Sequence, residues 1–230
     1  MLLPAIYALL LCLVHYYAEG IRIRYSNFKH HFVSFSSGLA VSYFLLVLFP
    51  ELYRGVANLD KFIFIFVLIG FISLYLIDKY IYEYADKVKV KRDLKEAHSI
   101  AFFIYHLFIG IIIYDFYIQG IFSLTLFFIP IILISVTTGI SLHEIHYELK
   151  ENQIIRIVLS ISPLIGVFLA TVFTIAQNFN FILIGIVGGI MLYMVIREFM
   201  PSEKKGEPIY FVYGVLIYTF IIIVTWILNI

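Results

Sequence analysis

The sequence predicts an all-α polytopic membrane protein with eight transmembrane helices in a 3+2+3 inverted-repeat arrangement. Three observations predict it. The first is apolarity: 63% of the 230 residues are hydrophobic and 13% are charged, with a mean hydropathy of +1.01, whereas soluble domains carry about a quarter charged residues. The second is segmentation. Short polar breaks cut the chain into apolar runs, each near the roughly 20 residues that a helix needs to cross a hydrocarbon core. The third is positive charge, which crowds into alternate breaks.

The spans fall at about 2–19, 32–50, 62–81, 98–118, 121–147, 155–176, 180–199 and 209–229. The first, MLLPAIYALLLCLVHYYAEG, has no basic stretch before its apolar run and has Arg22 and Arg24 after it. A cleaved signal peptide has the reverse arrangement, so this segment is read as a span. Barrel strands would alternate apolar with polar residues, and these runs are continuous. Eight spans leave room only for short loops, so residues 1–230 are expected to form a single transmembrane domain.

Fourteen of the 16 Lys and Arg residues lie after odd-numbered spans. Arg22, Arg24 and Lys29 follow span 1, and six residues from Lys79 to Lys95 follow span 3. Lys150 and Arg156 follow span 5, and Arg197, Lys204 and Lys205 follow span 7. Only Arg54 and Lys61 lie in the other set. Positive loops stay in the cytoplasm, so both termini are expected outside, in the cell membrane. The charged stretch from Asp78 to Glu96 reads as a solvated linker or an extension of helix 3. No basic cluster looks like a nucleic-acid surface. Cys12 is the only cysteine, which excludes an intrachain disulfide and thiolate-rich zinc sites.

Spans 2 and 7 resemble one another. Each has twelve positions from a glycine to a proline, Gly38 to Pro50 and Gly189 to Pro201, with Glu51 and Glu203 just beyond. Span 2 runs outward and span 7 inward, so matching segments of opposite direction point to an inverted repeat, as in many transporters. Spans 4 and 5 are then the unpaired centre.

Ionisable residues inside a membrane span are costly and mark function. They concentrate in that centre. Span 4 has His98, Tyr105, His106 and Asp115; span 5 has His143, Glu144, His146 and Glu148. Thr137, Ser141, Glu144 and Glu148 fall on one helical stripe, with His143 about 100° away. Counted from the inner ends, His106 lies about nine residues deep and His143 about six, similar depths at about 1.5 Å per residue. Imidazole plus carboxylate suits zinc or another first-row divalent ion. The competing reading of a membrane histidine is a hydrogen bond to a backbone carbonyl, and it is preferred for His98 and His146 near the interface. Glu148 ends the stripe or is an interfacial acid beside Lys150. Asp115 lies about half a turn from His106, off its site. His15, His30 and His31 read as flanking or loop residues. Gly38, Gly188 and Gly189 read as packing residues, and Gly110 would admit a neighbouring helix.

At these residues the chain resembles the ZIP (Zrt/Irt-like) family of divalent-metal transporters. The likeness covers the layout and three local strings: GLAVSYFLLVLFPE, HEIHYEL and GGIMLYMVIREFMPSE. The family's helix 5 often reads HExPHE; His143, Glu144 and Glu148 match it, while His146 and Tyr147 replace its proline and second histidine. Its helix 4 carries His-Asn and then a carboxylate. Here YHLFIG puts either Gly110 or Ile109 in the carboxylate's place, depending on register.

The resemblance implies import of a divalent metal, zinc foremost, with His106, His143, Glu144 and Glu148 as ligands and no other cofactor. It also implies that the group of helices 1, 4, 5 and 6 shifts against helices 2, 3, 7 and 8. The missing carboxylate leaves one weakly held metal rather than a two-metal centre. The expected partners are the metal ion, the lipid bilayer and a second copy of the chain in a homodimer; an enzyme is not expected. Rival readings stay open: a transport-deficient metal sensor or partner-binding relative, a membrane-embedded metal hydrolase acting on lipid with Glu144 as acid or base, and a haem protein.

Overall fold

Without water to satisfy the backbone, helix is the local solution for long apolar runs. Every regular element among the described residues is helical. The computed structural model describes residues 2–18, 26–84, 90–146, 153–173, 175–196 and 207–228, with backbone only at 18, 26–27, 29, 78, 80–84, 90–98 and 138–146. The helices are α1 (Leu2–Ala18), α2 (Ser26–Tyr43), α3 (Phe49–Leu59), α4 (Ile63–Tyr84), α5 (Val90–Gln119), α6 (Ile121–His146), α7 (Gln153–Ser160), α8 (Ser162–Val172), α9 (Gln177–Met194) and α10 (Pro208–Leu228).

Among the described residues, five helical runs are long and apolar enough to cross a membrane: His30–Ile77, Ser99–Gln119, Gln153–Val172, Gln177–Met194 and Pro208–Leu228. Leu2–Tyr17 and Ile121–Thr137 are shorter apolar helices. Leu68, Ile72, Leu216 and Phe220 stand exposed on the outside of α4 and α10. An apolar exterior of this kind suits lipid rather than water, so the chain is an all-helical membrane protein. Hydroxyls in the helices bond back to their own turns, as Ser42 does to Gly38 O and Ser135 to Ile131 O, which leaves few polar groups for lipid to meet.

The joints have local causes. Pro50 cannot donate a backbone N–H and crowds the preceding turn. A π-helical turn at Phe44–Leu48 comes just before it, and the Phe49 N–H reaches back to Phe44 O. Extra room in that turn lets the helix continue into α3. The run from His30 to Ile77 reverses at Asp60, whose φ of 52° ends α3. Tyr53 and Phe64 then face each other with ring centroids 5.6 Å apart. Gly120, with φ of 145°, turns α5 into α6, a conformation that a side chain would resist. Stacking of Phe116 on Phe127, 4.9 Å apart, shows that α6 returns beside α5. The break at Ile161 separates α7 from α8, where Pro163 sits in the first turn.

Three helix pairs make backbone-to-backbone contact through reciprocal glycines. A Cβ on Gly38 of α2 would lie 2.0 Å from the Phe211 carbonyl oxygen of α10, and one on Gly214 2.1 Å from that of Phe35. Gly70 of α4 and Gly189 of α9 meet Ile186 O and Val67 O in the same way, as do Gly110 of α5 and Gly166 of α8 with Pro163 O and Leu107 O. In every case the carbonyl belongs to the residue three before the partner's glycine. Gly38, Gly189 and Gly110 are therefore packing residues, as their sequence context suggested.

Of the two readings of the Asp78–Glu96 stretch, the described residues show the helical extension. Residues up to Tyr84 belong to α4, and α5 already starts at Val90. Its segment VKRDLKEAH is rich in Lys, Arg, Leu, Glu and Ala, good helix formers, so the apolar part of α5 is extended backwards as well as that of α4 forwards.

Candidate metal centre

His106 sits mid-way along α5 and is 3% exposed. Its Nδ1 lies 2.9 Å from the carbonyl oxygen of Phe102, one turn earlier. Since a carbonyl only accepts, Nδ1 carries the proton and Nε2 of the neutral ring keeps its lone pair. That Nε2 is buried and has no hydrogen-bond partner. A buried polar atom left unpaired costs about 1–3 kcal/mol. A proton donated to a backbone carbonyl with the other nitrogen free is how metal-ligating imidazoles are commonly held.

The group that meets His106 comes from α1. His15 is 5% exposed, and its ring lies edge to face with that of His106, centroids 4.0 Å apart and planes at 76°. Its Nε2 is also buried without a partner. Phe102 packs on both rings, 4.7 Å from His15 and 4.0 Å from His106. Tyr105, next to His106, has a buried hydroxyl with no partner. The flanking position expected for His15 is thus a correction. Ala8, Leu11 and Cys12, at seven, four and three residues before it, are buried too and share one inward stripe of α1, which an apolar helix does not reveal in sequence.

Of the residues expected to join His106, the side chains of His143 and Glu144 lie outside the described ones, and Glu148 lies outside them entirely. The same holds for the side chains of His98, Ser141 and His146. The backbone still bears on them. With Phe116 level with Phe127, an antiparallel pair places His106 level with Thr137. His143 is then about six residues, or roughly 9 Å, further along α6. The depths expected from the sequence to be similar are about six residues apart in this register. Thr137 is buried, and its hydroxyl donates to Leu133 O at 2.9 Å. Of the two span 4 positions where the resemblance would put a carboxylate, Ile109 is fully buried, and Gly110 is closed off by the Pro163 carbonyl. Among the described residues no three His, Cys, Asp or Glu side chains are grouped to hold a metal ion.

A second polar group sits at the Gly120 end. Asp115 accepts from Asn180 Nδ2 at 2.8 Å and from Gln119 Nε2 at 3.1 Å. Arg54 pairs with Glu51 at 2.8 Å and reaches Gln119 Oε1 at 3.4 Å. This chain of contacts links α3, α5 and α9. It borders a cleft of about 200 Å³ whose lining includes Asp115, Thr171, Phe173 and Asn180. Asp115 is apart from His106, as its position round the helix suggested. His30 and His31, expected as flanking or loop residues, lie instead within α2, where His31 stacks on Tyr210 at 4.0 Å.

The fold and these residues define an all-helical membrane protein with an imidazole pair enclosed in its bundle. No protein-family model matches the sequence, and no curated protein matches it.

Proposed function

We propose that this chain is an eight-span carrier of ZIP type that moves a divalent metal ion, zinc foremost, into the cytoplasm. The observation that carries the reading is His106, a neutral imidazole whose tautomer leaves a free, buried Nε2 inside the bundle. Such a nitrogen gains from a metal ion what no protein group gives it.

Several features support the eight-span layout. The 48-residue run His30–Ile77 reverses at Asp60 and so supplies two spans rather than one. The glycine contacts support the inverted repeat. Gly38 on α2 and Gly189 on α9 occupy corresponding places, and their partners are Gly214 on α10 and Gly70 on α4. A π-helical turn begins six residues after each, at Phe44 and at Val195. With the charge asymmetry, the Gly120 end lies outside the cell membrane, as do both termini. The metal reaches His106 and His143 between α5 and α6 and leaves along Glu144 and Glu148, while α1, α5, α6, α7 and α8 shift against the other helices.

The test is zinc-dependent uptake into proteoliposomes. His106→Ala and His143→Ala should each reduce uptake about ten-fold or more, the scale of losing support at a metal site. Wild-type rates in both variants would falsify the assignment. Ligating imidazoles must be unprotonated, so uptake should fall as the external pH is lowered. One observation favours a second reading. With Ile109 and Gly110 giving no carboxylate, the chain binds metal as a sensor or partner subunit without moving it; zinc binding with no flux in the same vesicles selects this.

A further inference from the structure

We propose that His15 and His106 together form a two-imidazole site for a late first-row transition-metal ion, so that α1 supplies a ligand. The inference rests on the reading above for its cargo. It adds a residue that the metal-binding strings of spans 4 and 5 do not contain.

Four observations carry it. Both rings are at least nine-tenths buried, at 5% and 3% exposure. They come from different helices and touch, with centroids 4.0 Å apart. Each presents an Nε2 without a partner. In His106 the Nδ1 proton is committed to Phe102 O, which leaves Nε2 as the donor atom. Two rings so close leave both Nε2 atoms unsatisfied in this structure, and one cation held between them would satisfy both. The terminal torsion of a histidine is soft, so the rings can turn to a common ion at small cost.

The donor set selects the ion. Imidazole nitrogen suits zinc, copper, nickel and iron, whereas magnesium and calcium require oxygen ligands. Cys12, one turn before His15, lies with its sulfur against the backbone at Leu164 of α8 and adds no third ligand. Two protein donors leave the remaining coordination positions to water or to a side chain brought by α6. An ion held in this way exchanges readily, as a carried ion must.

The experiment uses the full chain in detergent, with zinc affinity measured by competition against a chromophoric chelator. His15→Phe keeps the ring volume against Phe102 and removes both nitrogens. It should weaken zinc binding by about ten-fold or more with the metal-free unfolding temperature unchanged, and excess magnesium should not displace zinc from the wild type. Wild-type affinity in folded His15→Phe overturns the proposal. A readout on the wild type guards against misfolding of the variant: X-ray absorption of the zinc-loaded protein should show two imidazoles around the metal, and a shell without imidazole overturns the proposal. The two readings separate cleanly. Binding that depends on His15 with no wild-type flux sinks transport and keeps this site. Flux that survives His15→Phe but not His143→Ala sinks this site and keeps transport.

Discussion

His106 and Asp115 show two fates of a polar side chain in an apolar helix. Asp115 is satisfied: Asn180 and Gln119 both donate to it. Removing a hydrogen bond to a charged group costs about 1.5–3 kcal/mol, so Asn180→Ala should lower thermal stability in detergent by that order. Arg54 is largely exposed, but the Glu51 carboxylate it pairs with is buried, and removing one partner leaves a buried charge uncompensated. Arg54→Ala should therefore lower the melting temperature, and an unchanged value would show that the long contact from Gln119 Nε2 already satisfies Glu51. His106 is the opposite case, held by one nitrogen and unsatisfied at the other. The burial of His106 was legible from its place among apolar neighbours in span 4. That of His15 was not, because a span's end looks polar and flanking in one dimension. Only the crossing of α1 over α5 brings it inside.

At the level of the element, glycine decides which helices approach. Gly188 and Gly189 are neighbours in sequence with different surroundings. An added Cβ at Gly188 meets only Leu48 and Leu52 side chains, the nearest atom 3.5 Å away, while at Gly189 it falls 1.9 Å from the Val67 carbonyl oxygen. Gly189→Ala should thus destabilise by about 1–3 kcal/mol, the usual cost of overpacking. Gly188→Ala should be neutral or stabilising, because alanine is the better helix former by about 1 kcal/mol. Unfolding of the two variants side by side checks the contrast, and equal losses would refute the packing assignment. Continuous apolarity revealed the helices, but their ends were less legible. The charged residues from Val90 to His98 broke the hydropathy pattern without breaking the helix, since good helix formers continue a turn whether or not it is in lipid. The π-helical turn before Pro50 left no mark in composition; it answers a clash that is visible only once the helix is built.

For the whole molecule, sidedness rests on charge alone, and it is open to a direct check. Cys12 is buried, so the wild type should resist a membrane-impermeant thiol reagent. Lys61→Cys in intact cells should react from outside, and Lys91→Cys only after the membrane is opened. The reverse pattern would invert the topology and with it the proposed direction of transport. Layer, handedness of the repeat and the seating of α1 could not be read from periodicity, because an apolar helix in lipid has no polar face to announce which side is buried.

Two helices whose backbones already touch have no slack in which to slide. The glycine-fastened couples α2 with α10, α4 with α9, and α5 with α8 must then travel as planks, and any opening of the interior is confined to the seams between them. Among the described residues α1 carries no rivet of this kind, so it is a stave left free to tilt. One ring of the imidazole pair rides on such a stave and the other on a plank. A tilt of α1 alone would draw the rings apart and let go of whatever they jointly grip.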